Sequence, residues 1–239
     1  METGFTYLIT FLQQLKPHDS GPIYQETEMN RFPVEPFNTL SNLVFICILV
    51  FFLRRIYKHP KNHVFLWIAL PIIFISWIGG TIFHATRSHP IWLALDWMPI
   101  MLVCLLGIFY FISKIYREWW KRILFFIILV GVNFGFRKLS LPRGFAISVG
   151  YAITALSVLT PFFLYAYKTQ WKNVRFLLIG MLIFTLAITF RTLDGKVVLL
   201  PMGTHWLWHI FGGIAVFFLL YYIYRDDLEL AKLPKGSSL

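Results

Sequence analysis

Seven apolar runs, each long enough to cross a bilayer as a helix, follow one another along the chain. They span Phe37–Tyr57, Val64–Phe83, Ile91–Ile112, Trp119–Phe136, Phe145–Tyr167, Val174–Phe190 and Thr204–Tyr224. A hydrocarbon core about 30 Å thick requires about 20 helical residues, and a helix satisfies its own backbone hydrogen bonds there. The chain is therefore predicted to be an all-α integral membrane protein, with a seven-helix transmembrane bundle over residues 37–224. Residues 1–36 are an N-terminal interfacial and acidic segment, and residues 225–239 a cytoplasmic tail. The fourth run is the weakest: its unbroken apolar part, Ile123–Phe136, rises only about 21 Å. Trp119 and Trp120 extend it as interfacial anchors.

Composition excludes an ordinary soluble domain, because 58% of the residues are hydrophobic, 14% are charged and the mean hydropathy is +0.67. The net charge of +11 does not point to nucleic acid, since the basic residues cluster at span ends rather than on one patch. Roughly two-thirds of the 22 lysines and arginines fall on the side reached after the first, third, fifth and seventh spans. The positive-inside rule then puts the C-terminus in the cytoplasm and the N-terminus outside or in a lumen. The stretch GFTYLITFLQQL lacks a basic flank and a small-residue cleavage site, and reads as interfacial rather than as a cleavable signal. Short termini without a lysine-based retrieval signal favour a bacterial inner membrane over the endoplasmic reticulum or Golgi. Cys47 and Cys104 lie in apolar runs and read as packing residues rather than as a disulfide.

Against this background four ionisable residues stand out: His84 in FHAT, Asp96 in LALDWMPI, and His205 and His209 in THWLWHIF. Such groups cost about 2.5 kcal/mol or more at mid-membrane, which makes them functional candidates. His205 and His209, four apart, lie on one helix face. With His84 they offer three imidazoles and leave a fourth position for water, the arrangement of a catalytic zinc site. Alternating spans bring all four residues to the non-cytoplasmic half. Asp96 can take a proton from water or orient an imidazole. His18, His59, His63 and His89 lie in loops and read as solvated. Asp194 either pairs locally with Arg191 or supports the metal site. Glu35, Asn38 and Asn42 open the first span. They suit a helix start and interhelical bridging, or, with Asp19, Glu26 and Glu28, a hard cation such as calcium.

The ordered set Glu35-Pro-Phe-Asn38-Thr-Leu-Ser-Asn42, Phe83-His84-Ala-Thr86, Leu95-Asp96-Trp-Met-Pro99, Asp194 and His205-Trp-Leu-Trp-His209 resembles the alkaline ceramidase family. These are seven-helix membrane amidases in a superfamily that includes the progestin and adiponectin receptor type proteins. The resemblance runs from about Glu26 to the last span. It implies a zinc-dependent hydrolase acting on the linear amide C–N bond of ceramide, a lipid drawn from the bilayer. It assigns zinc to His84, His205 and His209, the catalytic aspartate to Asp96, and acidic positions of a calcium site to Glu35 and Glu26.

One departure stands out. The family usually has a serine one turn before the first histidine, where it steadies the oxyanion, and this chain has Gly80. Thr81 is the nearest substitute donor, about 100° round the helix, and Ser76 lies on the same face but deeper. Loss of one oxyanion donor commonly costs about 10²–10³ in rate. The departure keeps open a competing reading, a receptor-like sensor that retains zinc as a structural staple. A haem carrier is disfavoured, because no axial pair of histidines faces at one depth.

Overall fold

The computed structural model describes residues 17–59, 62–137, 143–196 and 200–232, so the interfacial reading of residues 1–16 and the end of the tail lie outside the described residues. Seven helices stand at the seven apolar runs: α1 (Pro36–Ile56), α2 (Val64–Thr86), α3 (Pro90–Ile115), α4 (Trp119–Arg137), α5 (Arg143–Lys168), α6 (Val174–Leu193) and α7 (His205–Leu230). Six spans long and apolar enough to cross a membrane are found among the described residues, in α1, α2, α3, α4, α6 and α7. The protein is therefore a multi-pass membrane protein. Several helices overrun the apolar runs, since polar residues extend a helix past the hydrocarbon without breaking its backbone pattern. In α7 this carries helix through residues 225–230, placed in the tail by hydropathy alone.

Two compact units emerge from the chain. The first comprises Met1–Ile100 and Arg175–Asp227, and the second Met101–Val174 and Leu228–Leu239. Phe52, Ile56, Leu66, Leu70 and Ile73 are fully or almost fully buried in the first, while Val50, Leu53, Ile68, Phe74 and Leu182 are exposed. Large aliphatic and aromatic side chains turned outward in such number suit contact with lipid rather than water. In the second unit Phe111 and Phe162 pack with ring centroids 4.2 Å apart, beside the buried Ile112 and Tyr165. That unit also holds an apolar cavity of about 420 Å³, lined by residues such as Leu105, Ile108, Phe126 and Leu129.

Two local features of the first unit position polar groups. Helix α1 is interrupted at Asn42, between the helical runs Pro36–Ser41 and Leu43–Ile56. The Asn38 carbonyl there accepts from Ser41 Oγ at 2.8 Å and Asn42 Nδ2 at 3.2 Å. Helix α2 ends at Arg87, whose φ of 48° is left-handed, and its amide closes the last turn on the Phe83 carbonyl at 2.8 Å. Glycine usually fills this position, because a side chain there costs about 1–2 kcal/mol. The arginine is held there by its side chain.

Candidate metal centre

The last turn of α2 and the first two turns of α7 bring His84, His205 and His209 together. All three are buried, and one potential ligand atom from each lies within 4.8 Å of the others. Ring centroids are 4.7 Å apart for His84 and His209, 4.8 Å for His205 and His209, and 5.5 Å for His84 and His205. The four-residue spacing in α7 aligns two rings on one face, and α2 runs antiparallel in sequence sense so that its end meets the start of α7. Among the described residues this is the one cluster of three or more histidine, cysteine or acidic side chains with metal-binding geometry.

The hydrogen bonds around the rings fix which nitrogen is free. His84 Nδ1 lies 2.5 Å from Glu35 Oε2, and a carboxylate only accepts, so Nδ1 carries the proton. His84 Nε2, the nitrogen on the other side of the ring, is buried and without a partner. His209 Nδ1 donates to the Asn38 carbonyl at 3.1 Å and to Ser41 Oγ at 2.8 Å, the same Ser41 whose own proton goes to Asn38. His209 thus also carries a proton on Nδ1. His205 has a buried, unpartnered Nδ1. Buried polar atoms without partners are costly, about 1–3 kcal/mol each, and an imidazole nitrogen can offset that cost by ligating a metal. Three imidazoles, two oriented through Nδ1, fit a zinc ion and the way proteins hold one.

Asp96 is brought to this site by two glycines. A Cβ on Gly79 would meet the Leu95 backbone carbon at 2.5 Å and its oxygen at 2.7 Å, so α2 and α3 touch backbone to backbone. A Cβ on Gly80 would collide with Asp96 Oδ1. The carboxylate therefore lies directly on the α2 surface, one turn before His84. Ser76 Oγ donates to the Asp96 carbonyl at 2.5 Å and pins the same junction. Pro99 lacks the N–H that would bond the Leu95 carbonyl in a regular helix, which loosens the turn at this approach. Thr81 follows Gly80. The hydroxyls of Thr86, Thr185 and Thr189 bond back to the carbonyl four residues earlier, whereas Thr81 Oγ1 is buried with no partner.

Residues 17–35 cross the same end of the first unit. His18 N donates to the Arg87 carbonyl at 2.9 Å, Val34 N to Ala85 at 2.9 Å and Glu35 N to His84 at 3.1 Å. Tyr24 stacks on His205 with centroids 3.7 Å apart and lies 5.5 Å from His84. Burial raises the Tyr24 hydroxyl above its usual range, with Arg191 and Arg87 opposing and Asp96 and Glu35 reinforcing, so it remains a protonated donor.

The calcium site expected at Glu26 and Glu35 finds no support. Glu26 accepts from the amides of Phe37 at 2.5 Å and Asn38 at 2.9 Å, which caps the open start of α1. Burial raises Glu26 despite the pull of those amides. Glu35 accepts from Thr27 Oγ1 at 2.6 Å and Arg87 Nη1 at 2.7 Å on one oxygen, and from Asn38 Nδ2 at 3.1 Å and His84 on the other. Burial acts to raise Glu35, but the bonds and charge of His84, with Thr27 and Arg87, outweigh it and hold the carboxyl below its usual range.

Asp194 does something else again. Its Oδ1 accepts from the amides of Thr204 at 2.8 Å and His205 at 3.1 Å, and its Oδ2 from Gln25 N at 3.2 Å. A carboxylate borrowed from the end of α6 thereby caps the helix that carries two of the histidines. Gly203, at φ 72°, leaves room for it, because a Cβ there would strike Asp194 Oδ1. One histidine departs from its expected solvated state: His63 is buried, with Nδ1 3.2 Å from Asp227 Oδ2 and its ring against Tyr224. The partners are available because α7 continues past the apolar run. Ser41, Tyr24 and Arg87 carry no sequence anomaly that marks them as site residues, except that Arg87 directly follows a buried histidine turn.

The family described as Ceramidase matches residues 28–234, nearly the whole chain from the strap before α1 to the end of α7. No curated protein gives a match to the chain.

Proposed function

The chain belongs to the ceramidase family, and on that premise we propose that it is an intramembrane zinc-dependent amidase that cleaves ceramide, or a closely related lipid amide, to a sphingoid base and a fatty acid. The observation that carries the reading is the buried trio His84, His205 and His209, which bring one potential ligand atom each within 4.8 Å of the others while Glu35 holds His84 Nδ1 and the Asn38 carbonyl holds His209 Nδ1. These residues would hold zinc, which supplies Lewis acidity toward the amide carbonyl and makes water a nucleophile at neutral pH.

The rest of the chemistry falls to the chain. Asp96 takes a proton from the attacking water as the C–O bond forms, then returns it to the nitrogen as the C–N bond breaks. The products are the free amine and the carboxylic acid, so the proton count balances. Thr81, whose buried hydroxyl has no other partner, donates to the carbonyl oxygen as it gains charge, the role left open by Gly80. The strap of residues 17–35 and Tyr24 cover the polar side of the histidines, which supports entry of substrate from the bilayer. The lysine and arginine distribution supports a non-cytoplasmic position for this end. The sensor reading rested on Gly80, and that glycine has a steric reason of its own in the Asp96 carboxylate.

Detergent-purified protein should contain about one zinc per chain by elemental analysis and release fatty acid from a fluorescent ceramide. His209→Ala should lose both properties. Asp96→Asn should keep zinc and lose hydrolysis. A protein without zinc, or an Asp96→Asn variant that turns over at the wild-type rate, would overturn the proposal.

A further inference from the structure

Arg87, in the first unit, has its charged side chain fully enclosed, as have the two carboxylates it meets. Its guanidinium holds two carboxylates at once. Nε and Nη2 bond Asp19 at 2.8 and 2.7 Å, and Nη1 bonds Glu35 Oε1 at 2.7 Å and the Pro22 carbonyl at 3.0 Å. Phe83 covers it from one side, 4.7 Å from the guanidinium carbon to the ring centroid. Burial works against its charge, and Asp19 and Glu35 more than offset that, so it stays protonated. The other oxygen of Glu35 takes the proton of His84 Nδ1.

These contacts form one chain: Asp19, Arg87, Glu35, His84. Glu35 must be held in one orientation for its Oε2 to take the His84 Nδ1 proton, and Arg87 Nη1 holds its other oxygen at 2.7 Å. We infer that Arg87 is a positioning residue for the metal centre, a built-in cation that fixes Glu35 and through it the free Nε2 of His84. The inference rests on the zinc reading and adds to it that no second metal ion is needed to hold the acidic strap in place. Its fork geometry suits the task, since one planar group addresses two carboxylates along separate edges. The left-handed backbone at residue 87 is the local cost of delivering that fork to this point.

The test is zinc affinity, measured by competition with a colorimetric chelator on detergent-purified protein. Groups that orient a metal-bound histidine commonly change affinity about 10–100-fold when removed. Arg87→Gln should weaken zinc binding by about that factor, Arg87→Lys should recover part of it, and Asp19→Asn, which leaves the Arg87–Glu35 bond, should stay within about threefold. If Arg87 acts through Glu35, Glu35→Gln and the double variant Glu35→Gln/Arg87→Gln should bind zinc equally. That pair also decides the matter should Arg87→Gln alone fail to fold, because neutralising Glu35 removes one of the charges it would strand. Wild-type affinity in folded Arg87→Gln, a loss in Asp19→Asn as large as in Arg87→Gln, or a further loss in the double variant beyond Glu35→Gln would each overturn the inference. A wild-type protein that binds no zinc would instead overturn the metal reading on which it rests.

Discussion

Replacing Gly80 by alanine tests the link between the packing of α2 on α3 and the chemistry proposed for Asp96. The new Cβ would collide with Asp96 Oδ1 and reach 3.4 Å from Asn42 Oδ1. The obstacle is the tip of a short side chain, so the carboxylate can swing aside while both helices keep their places. Overpacking of this kind costs about 1–3 kcal/mol, and exchanging a mid-helix glycine for alanine returns about 1 kcal/mol, which leaves a net loss of about 0–2 kcal/mol. The fold should survive. The rate should not, because an acid–base group displaced by about 1 Å loses about 10²-fold. Zinc content should stay at the wild-type level, since Gly80 touches none of the three histidines' orienting partners.

Gly79→Ala is the matched control. Its Cβ would meet the Leu95 backbone carbon and oxygen at 2.5 and 2.7 Å, and backbone cannot step aside without parting the helices. Gly79→Ala should therefore lose folded protein in a detergent thermal melt, while Gly80→Ala loses turnover with a near-normal melt and full zinc. Gly80→Ser, the residue usual in the family, should do no better than alanine, because it carries the same Cβ. A Gly80→Ala protein that hydrolyses ceramide at the wild-type rate would refute the placement of the reacting carboxylate. A Gly80→Ala protein that loses its zinc would refute the separation of Asp96 from the metal-holding groups.

Asp194→Ala strips the acceptor from the Gln25, Thr204 and His205 amides, and loss of such a cap should lower stability by about 1–2 kcal/mol. Thermal melts should fall accordingly, with Asp194→Asn intermediate; an unchanged melting temperature would argue against the capping role. Glu35 has a folded-state pKa below its usual value near 4.5, so its contribution to stability is complete at neutral pH and is lost as pH falls through the lowered value. On metal-free protein, the melting-temperature gap between wild type and Glu35→Gln should narrow as pH falls below about 4.5 and on through the lowered value. A gap that widens over that range would reverse the sign assigned to Glu35.

What the sequence made legible, and what it did not, follows from where each residue's physical reason lies. The helices were visible because hydrocarbon demands long apolar runs, and their boundaries slipped only where polar residues continued a helix beyond the bilayer, as at the end of α7. That slip hid the partner of His63, which stands 164 residues away at Asp227. His84, His205, His209 and Asp96 were visible because each is out of place in its own surroundings. The groups that orient them are ordinary in theirs. Ser41 is an unremarkable helical serine until His209, 168 residues on, turns toward it, and Glu35 is a plausible helix-start acid until His84, 49 residues on, donates to it. Gly80 is the instructive intermediate. The chain shows that a serine is missing, which invites the reading of a lost catalytic donor, yet the reason for glycine is a neighbour's carboxylate that occupies the space of its Cβ. An apparent loss of function in the sequence and a tight fit around the proposed catalytic acid in the fold are the same residue, and only the second accounts for why Gly79 and Gly80 occur together.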